Sequence, residues 1–256
     1  MQTIQRAVID HCELVETRVA ILDSIPNAGQ FAVLEQRRAL TSSNATLYYP
    51  WILMQEAADT PPAFVPACGH VAGIYATTDR NVGVHKAPAN MAVTGALDLE
   101  MEITDEIQSN LNPVGVNCLR AFPGRGIRVW GARTLSTDTA WTYVNVRRLV
   151  LTLRRWIAAN MTDVAFEPSD ARLWGRVSRE LTAHCTELYQ RGALKGATPD
   201  QAFVVRCDAS TNATGAEPGQ VVAEISLAPR LPNEFVVVYI VYEAGGVSVV
   251  GPSDSI

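Results

Sequence analysis

The chain has 256 residues, 48% of them hydrophobic and 18% charged, with a formal net charge of -5. That length supports one large core or two small ones, and the acidic balance gives no overall signal for nucleic-acid binding. Five cysteines, Cys12, Cys68, Cys118, Cys185 and Cys207, form no CxxC pair, which argues against a disulfide framework and a zinc site and for a reducing compartment.

Thr3 to Thr17 has the period of a helix, with Ile4, Ala7, Val8, His11 and Val15 near one face, the expected core side. This opening lacks the apolar stretch of a signal peptide, and no later run approaches the roughly 18 apolar residues of a membrane span. Arg18–Ile25 reads as a buried parallel strand and Phe31–Arg38 as the start of a second helix. Thr46–Met54 is rich in strand formers, and Pro50 inside it predicts an edge or a bulge. Asp59–Pro66 is expected as loop, Gly69–Thr78 as helix and Arg80–Asn90 as irregular. Ile103–Leu111 is a short helix with Thr104 as N-cap and two acids, Asp105 and Glu106, in its first turn.

The middle of the chain carries a strand at Val116–Phe122, a turn built on Pro123, Gly124 and Gly126, and a second strand at Ile127–Leu135. Between Leu111 and Thr162 lie eight arginines and a single acid, Asp138, while Asp98, Glu100, Glu102, Asp105 and Glu106 form an acidic run just before. Opposite patches of this kind serve either binding between copies or pairing within one chain. A long helix follows, with Val146, Leu149, Val150, Leu153, Trp156 and Ile157 at core spacing. Asp163–Glu167 is expected as a buried strand. Ser169 is the expected N-cap of another helix, with Leu173, Val177, Leu181 and Leu188 inward. Arg172, Arg176 and Arg179 share a different face of that helix, either as a solvated stripe or as a docking surface for an acidic protein. The end is strand: Ala202–Asp208, Gln220–Ala228 and Glu234–Tyr242. The class is α/β, a mixed sheet flanked by helices.

Signals for chemistry are sparse. The chain has no Walker loop. Gly124-x-Gly126 lacks the third glycine of a dinucleotide fingerprint, because position 129 is valine, and a strand follows where a helix is required. There is no GxSxG or HExxH. His70 and His85 flank no marked nucleophile, and Trp51, Trp130, Trp141, Trp156 and Trp174 suit core or interface positions. No cofactor is expected.

Several stretches together resemble the C-terminal half of contractile tail sheath proteins of phage tails, R-type pyocins and related injection systems. They are the Asn112-Pro113 turn, Val116-Asn117 and FPGRGIRVWGARTLS from Phe122 to Ser136. Further matches are YYPW (Tyr48–Trp51), Gly69–Asn90, YVNVRRL (Tyr143–Leu149), FEP (Phe166–Pro168), GALKGATP (Gly192–Pro199) and VRCDAS (Val205–Ser210).

The resemblance implies a non-enzymatic sleeve subunit that surrounds an inner tube and contracts to drive it through a target envelope. It also implies C-terminal strands and an arm exchanged between subunits. On that basis residues 1–242 are expected as the core domain and 243–256 as a tail or arm. Phe235, Val236, Val237, Val238, Tyr239, Ile240, Val241 and Tyr242, apolar on both faces, read as a central buried strand, and the resemblance implies a strand between subunits; both can hold at once. The implied partners are further copies of the chain in stacked hexameric rings, the inner tube, and baseplate and terminator proteins, with no nucleic acid and no membrane insertion. The implied location is a tail or tail-like particle assembled in the bacterial cytoplasm. A baseplate or cap paralogue of the sheath, and an α/β enzyme, are the alternatives.

Overall fold

In the computed structural model, residues 1–212, 220–229, 236–243 and 246–250 are described. They divide into two compact units, Met1–Leu149 and Val150–Ile256.

In the first unit, α1 (Gln2–Val15) leads to β1 (Ala20–Asp23), α2 (Gln30–Arg38), β2 (Ala45–Tyr49), β3 (Ile52–Met54) and β4 (Ala63–Val65). Then come α3 (Cys68–Asn81), β5 (Asp98–Leu99), α4 (Asp105–Leu111), β6 (Val116–Phe122) and β7 (Gly126–Trp130). The main sheet has the order β1-β2-β6-β7, parallel through β6 with β7 antiparallel at the end. Strands β4, β3 and β5 make a small antiparallel sheet. Strand alternation feeds two apolar cores. Leu47, Tyr49, Val116 and Cys118 join Ile9, Val33 and Leu111 from α1, α2 and α4, whereas Tyr48, Leu119 and Val129 join Val71, Ile74 and Tyr75 from α3. Every residue of β2 is buried, as in a strand covered on both faces.

Strand β6 has the limits expected from sequence, and Thr104 Oγ1 caps α4 by accepting from Ile107 N at 3.3 Å. The second hairpin strand is shorter than expected. It ends at Trp130, and Arg133 and Leu135 make only isolated bridges, to Tyr143 and Ser42. Pro50 marks neither an edge nor a bulge. It breaks the apolar run into β2 and β3, and β2 lies inside its sheet between β1 and β6. The loop expected at 59–66 contains β4. Helix α1 forms where expected but buries Gln5, Ile9 and Cys12 rather than the Ile4/Val8 face. The reason is polar. Asp23 O accepts from Gln5 Nε2 at 2.7 Å and from Gln36 Nε2 at 3.0 Å, which turns the glutamine side of α1 inward.

Helix α5 (Val144–Asn160) begins in the first unit and ends in the second, which continues with α6 (Ala171–Gln190), α7 (Pro199–Ala202), β8 (Phe203–Arg206), β9 (Val221–Leu227), β10 (Val236–Glu243) and β11 (Gly246–Val250). The strands form an antiparallel sheet ordered β11-β10-β9-β8. In β9, Val221, Ala223, Ile225 and Leu227 are buried and alternate with half-buried residues. Leu173, Val177, Leu181 and Cys185 form the buried stripe of α6. Leu188, expected in that stripe, is half-buried, as is Trp156 on α5.

Two local expectations fail here. DVAFE is not a strand: Thr162–Val164 is a 3-10 turn, and Phe166 is 97% exposed. Asp170, not Ser169, caps α6, its Oδ1 accepting from Arg172 N and Leu173 N at 2.9 Å. Ser169 Oγ instead accepts from Trp174 Nε1 at 3.0 Å. No described helix is long and apolar enough to cross a membrane.

Candidate functional site

The arginine-rich hairpin is set by the residues around its turn. Pro123 fixes φ, and Gly124 and Gly126 take φ values of 70° and 71°, which side chains disfavour. Arg125 N closes the turn on Phe122 O at 3.0 Å. At its base, buried Asn117 accepts from Arg133 N at 2.6 Å and donates to Arg133 O at 2.8 Å and Leu47 O at 3.3 Å. Gly131 faces it, and a Cβ there would lie 2.7 Å from Asn117 Oδ1.

The hairpin's guanidiniums are engaged by their own unit. Arg120 donates to Ile103 O at 3.1 Å and pairs with Asp105 at 2.8 Å. Arg125 and Arg128 reach Asn90, at 3.1 Å to its side chain and 2.7 Å to its carbonyl. Arg133 donates to Pro113 O at 3.1 Å. Arg120 and Arg125 also lie 5.3 Å and 5.8 Å from the centroid of the Phe122 ring, which packs on Trp130 at 4.7 Å. On α5, Arg148 pairs with Asp79 through both carboxylate oxygens and lies over Tyr75. Of the acidic run, Asp105 takes part in this pairing, while Glu100 accepts from Asn27 N at 2.8 Å.

The second arginine group is less uniform than its spacing suggests. Arg176 is half-buried and paired with Asp163 at 3.0 Å, with its Nε 3.7 Å from Glu180. Arg172 and Arg179 are exposed. The candidate strand Val236–Tyr242 lies within β10, hydrogen-bonded to β9 on one side and β11 on the other, and Phe235 lies outside the described residues. The stretch expected as a tail or arm contributes β11.

Sequence reasoning missed an aromatic pair in the second unit. The His184 ring stacks on Trp156 with centroids 3.9 Å apart and planes 8° from parallel. Both ring nitrogens are buried without a hydrogen-bond partner among the described residues, and Nδ1 is 3.8 Å from Glu187. Burial holds the imidazole below its ordinary 6.5, partly opposed by Glu187, with Arg191 adding to the lowering. As pH falls below 6.5, the unfolded chain takes up a proton that the folded ring refuses, so stability is lost in that window. Urea unfolding of wild type should shift to lower midpoint between about pH 7.5 and about pH 5.5, and His184→Phe should flatten that part of the dependence. The same slope in the variant would assign the effect elsewhere. No periodicity signals this contact, since the two residues lie on different helices.

Among the described residues, no three His, Cys, Asp or Glu side chains converge as metal ligands. Burial pushes the Cys118 and Cys185 thiols up to about 12 and the Cys207 thiol to about 11. Burial, then a hydrogen bond to Asp23, raises Cys68 to about 11. These are packing groups rather than nucleophiles.

Residues 1–135 match the family described as phage tail sheath protein central domain, and residues 136–242 match the phage tail sheath C-terminal domain. A prophage major tail sheath protein of Pseudomonas aeruginosa (strain UCBPP-PA14) is 26% identical over 148 residues, 56% of this chain and 38% of that protein. The tail sheath protein of Salmonella phage ViI is 25% identical over 185 residues, 70% of this chain and 28% of its own length. The chain thus spans well under half the length of these relatives. Among solved structures, a chain of the anti-feeding prophage baseplate superposes with a TM-score of 0.78 at 31% identity, covering 91% of this chain and 63% of that one. A chain of the contracted sheath complex of the PVC extracellular contractile injection system gives 0.75 at 33% identity, covering 83% and 60%. Matched along both its domains and sharing its fold with solved chains of contractile systems, this chain belongs to the phage tail sheath protein family.

Proposed function

We propose that the chain is a structural, non-catalytic subunit of a contractile sheath. Copies stack as rings around an inner tube, between baseplate and terminator proteins, and a rearrangement of the lattice drives the tube forward. The unbroken family match from residue 1 to 242 carries this reading, supported by the likeness to a contracted sheath complex. The particle is assembled in the bacterial cytoplasm and forms part of a tail or tail-like machine. Negative-stain microscopy of the purified chain, alone and with tube protein, should show tubes or stacked rings. Single particles under both conditions would overturn the proposal. A sheath paralogue at the baseplate is the second reading, favoured by the 0.78 TM-score to a baseplate chain. It predicts short rings on baseplates and no long tubes.

Strand exchange completes the sheet of the second unit. Because β10 has a neighbour on each side, an incoming strand would add at the outer edge of β8 or β11.

Arg172 and Arg179 are the tube-facing pair, while Arg176 holds Asp163 within the chain. Each exposed contact is worth only about 0.2–1 kcal/mol, and repetition around a ring makes the sum matter. Arg172→Glu with Arg179→Glu should leave folding intact and weaken co-sedimentation with purified tube, most of all at low salt. Unchanged, salt-insensitive binding would mean that the pair is a solvated face.

A further inference from the structure

The helical period of α1 marks an apolar stripe, and most of it stays exposed among the described residues, only Val15 being half-buried. Ile4 is 70% and Leu14 85% exposed, with Val8 and His11 exposed between them. At its C-terminal end, Arg18 Nη1 lies 2.9 Å from His11 Nε2, a guanidinium whose contact there is a ring rather than a carboxylate. The second unit has a feature of the opposite shape. Phe166 stands 97% exposed at φ 69°, in the left-handed region that a bulky side chain rarely adopts. Its turn is held from both sides: Ala165 N bonds to Thr162 O and Glu167 N to Val164 O, both at 3.3 Å, and Asp170 caps the following helix.

Resting on the assembly reading above, we infer that Phe166 of one copy seats on the α1 stripe of a second copy. A held aromatic knob and an apolar shelf on the same chain make a heterologous contact. Unlike a two-fold pairing, such a contact propagates into rings or helices. Charge agrees at one point of the match: exposed Glu167 follows the ring directly, and exposed Arg18 borders the shelf.

The test mixes two full-length populations, Phe166→Cys and Ile4→Cys, under copper-phenanthroline oxidation. A disulfide-linked dimer is expected from the mixture, and none from wild type or from Ile4→Cys alone. Phe166→Ser, with an unchanged circular dichroism spectrum, should raise the concentration needed for assembly by roughly tenfold, the scale of losing one buried aromatic anchor. Glu167→Arg and Arg18→Glu should each weaken assembly, and the two together should restore it. Tubes that form with no cross-link, and at wild-type concentration for Phe166→Ser, would overturn this contact and leave the sheath reading standing. A cross-link without tubes or rings would support the contact and sink the sheath reading. Neither cross-link nor assembly would overturn both.

Discussion

Arg37→Met is expected to cost the first unit roughly 3 kcal/mol, because hydrogen bonds from a charged donor contribute about 1.5–3 kcal/mol each when buried. Arg37 leaves α2 and spreads its guanidinium over three carbonyls: Val114 at 2.5 Å, Leu135 at 3.1 Å, and Leu40. Leu135 O retains a second donor in Ser42 N, but the carbonyls of exposed Val114 and buried Leu40 lose a charged partner, the second in a dry setting. Burial lowers the guanidinium's pKa from its usual value. Arg37→Lys should not rescue the loss, since one ammonium cannot serve three acceptors arranged for a planar fork. Urea unfolding followed by near-ultraviolet circular dichroism checks this: a midpoint equal to wild type in either variant would show that the fork contributes little.

Asn117→Leu should cost about 3 kcal/mol for a different reason. The new side chain has the same branching but is bulkier, and it satisfies none of the three backbone groups that Asn117 serves, two of them on Arg133. Both the amide and the carbonyl of Arg133 would then be stranded where the chain leaves β7. Gly131→Ala attacks the same junction sterically, through the 2.7 Å approach to Asn117 Oδ1. Because the two residues share one contact, their effects should be less than additive. Hydrogen exchange at β6 and β7 gives the readout. Unaltered protection in Asn117→Leu would mean that water or a backbone shift replaces the lost bonds.

The elements that sequence located best are those whose signals are local. Thr104 sits before two acids and a short apolar helix, and it caps α4; β6 keeps its expected limits because a turn closes one end and Asn112-Pro113 precedes the other. What escaped depends on neighbours distant in sequence. Period finds the stripe on α1 but cannot say that Asp23 and Gln36 draw in Gln5 instead. Ser169 and Asp170 are equally good caps by type, and the choice is made by the Trp174 indole, which takes the serine. Val164 and Phe166 suit a strand by propensity, but the chain turns there in 3-10 geometry and reaches Pro168 and a new helix. The arginine cluster is plain in composition, whereas its absorption by backbone carbonyls and Asn90 is a property of the folded hairpin.

The protected thiols have a consequence for the particle proposed above. If it leaves its cell, its subunits pass from a reducing interior into oxidising surroundings. Oxidants and disulfides react with the thiolate, and burial keeps Cys12, Cys118, Cys185 and Cys207 in the protonated form while closing off access. Half-buried Cys68 gains similar protection from its partial burial and then from Asp23 beside it. Folding therefore confers a chemical shelf life. In the proposed sheath, a packed subunit would not depend on the cell's reductants to keep neighbouring copies from being locked together by stray disulfides, which would jam a contracting lattice.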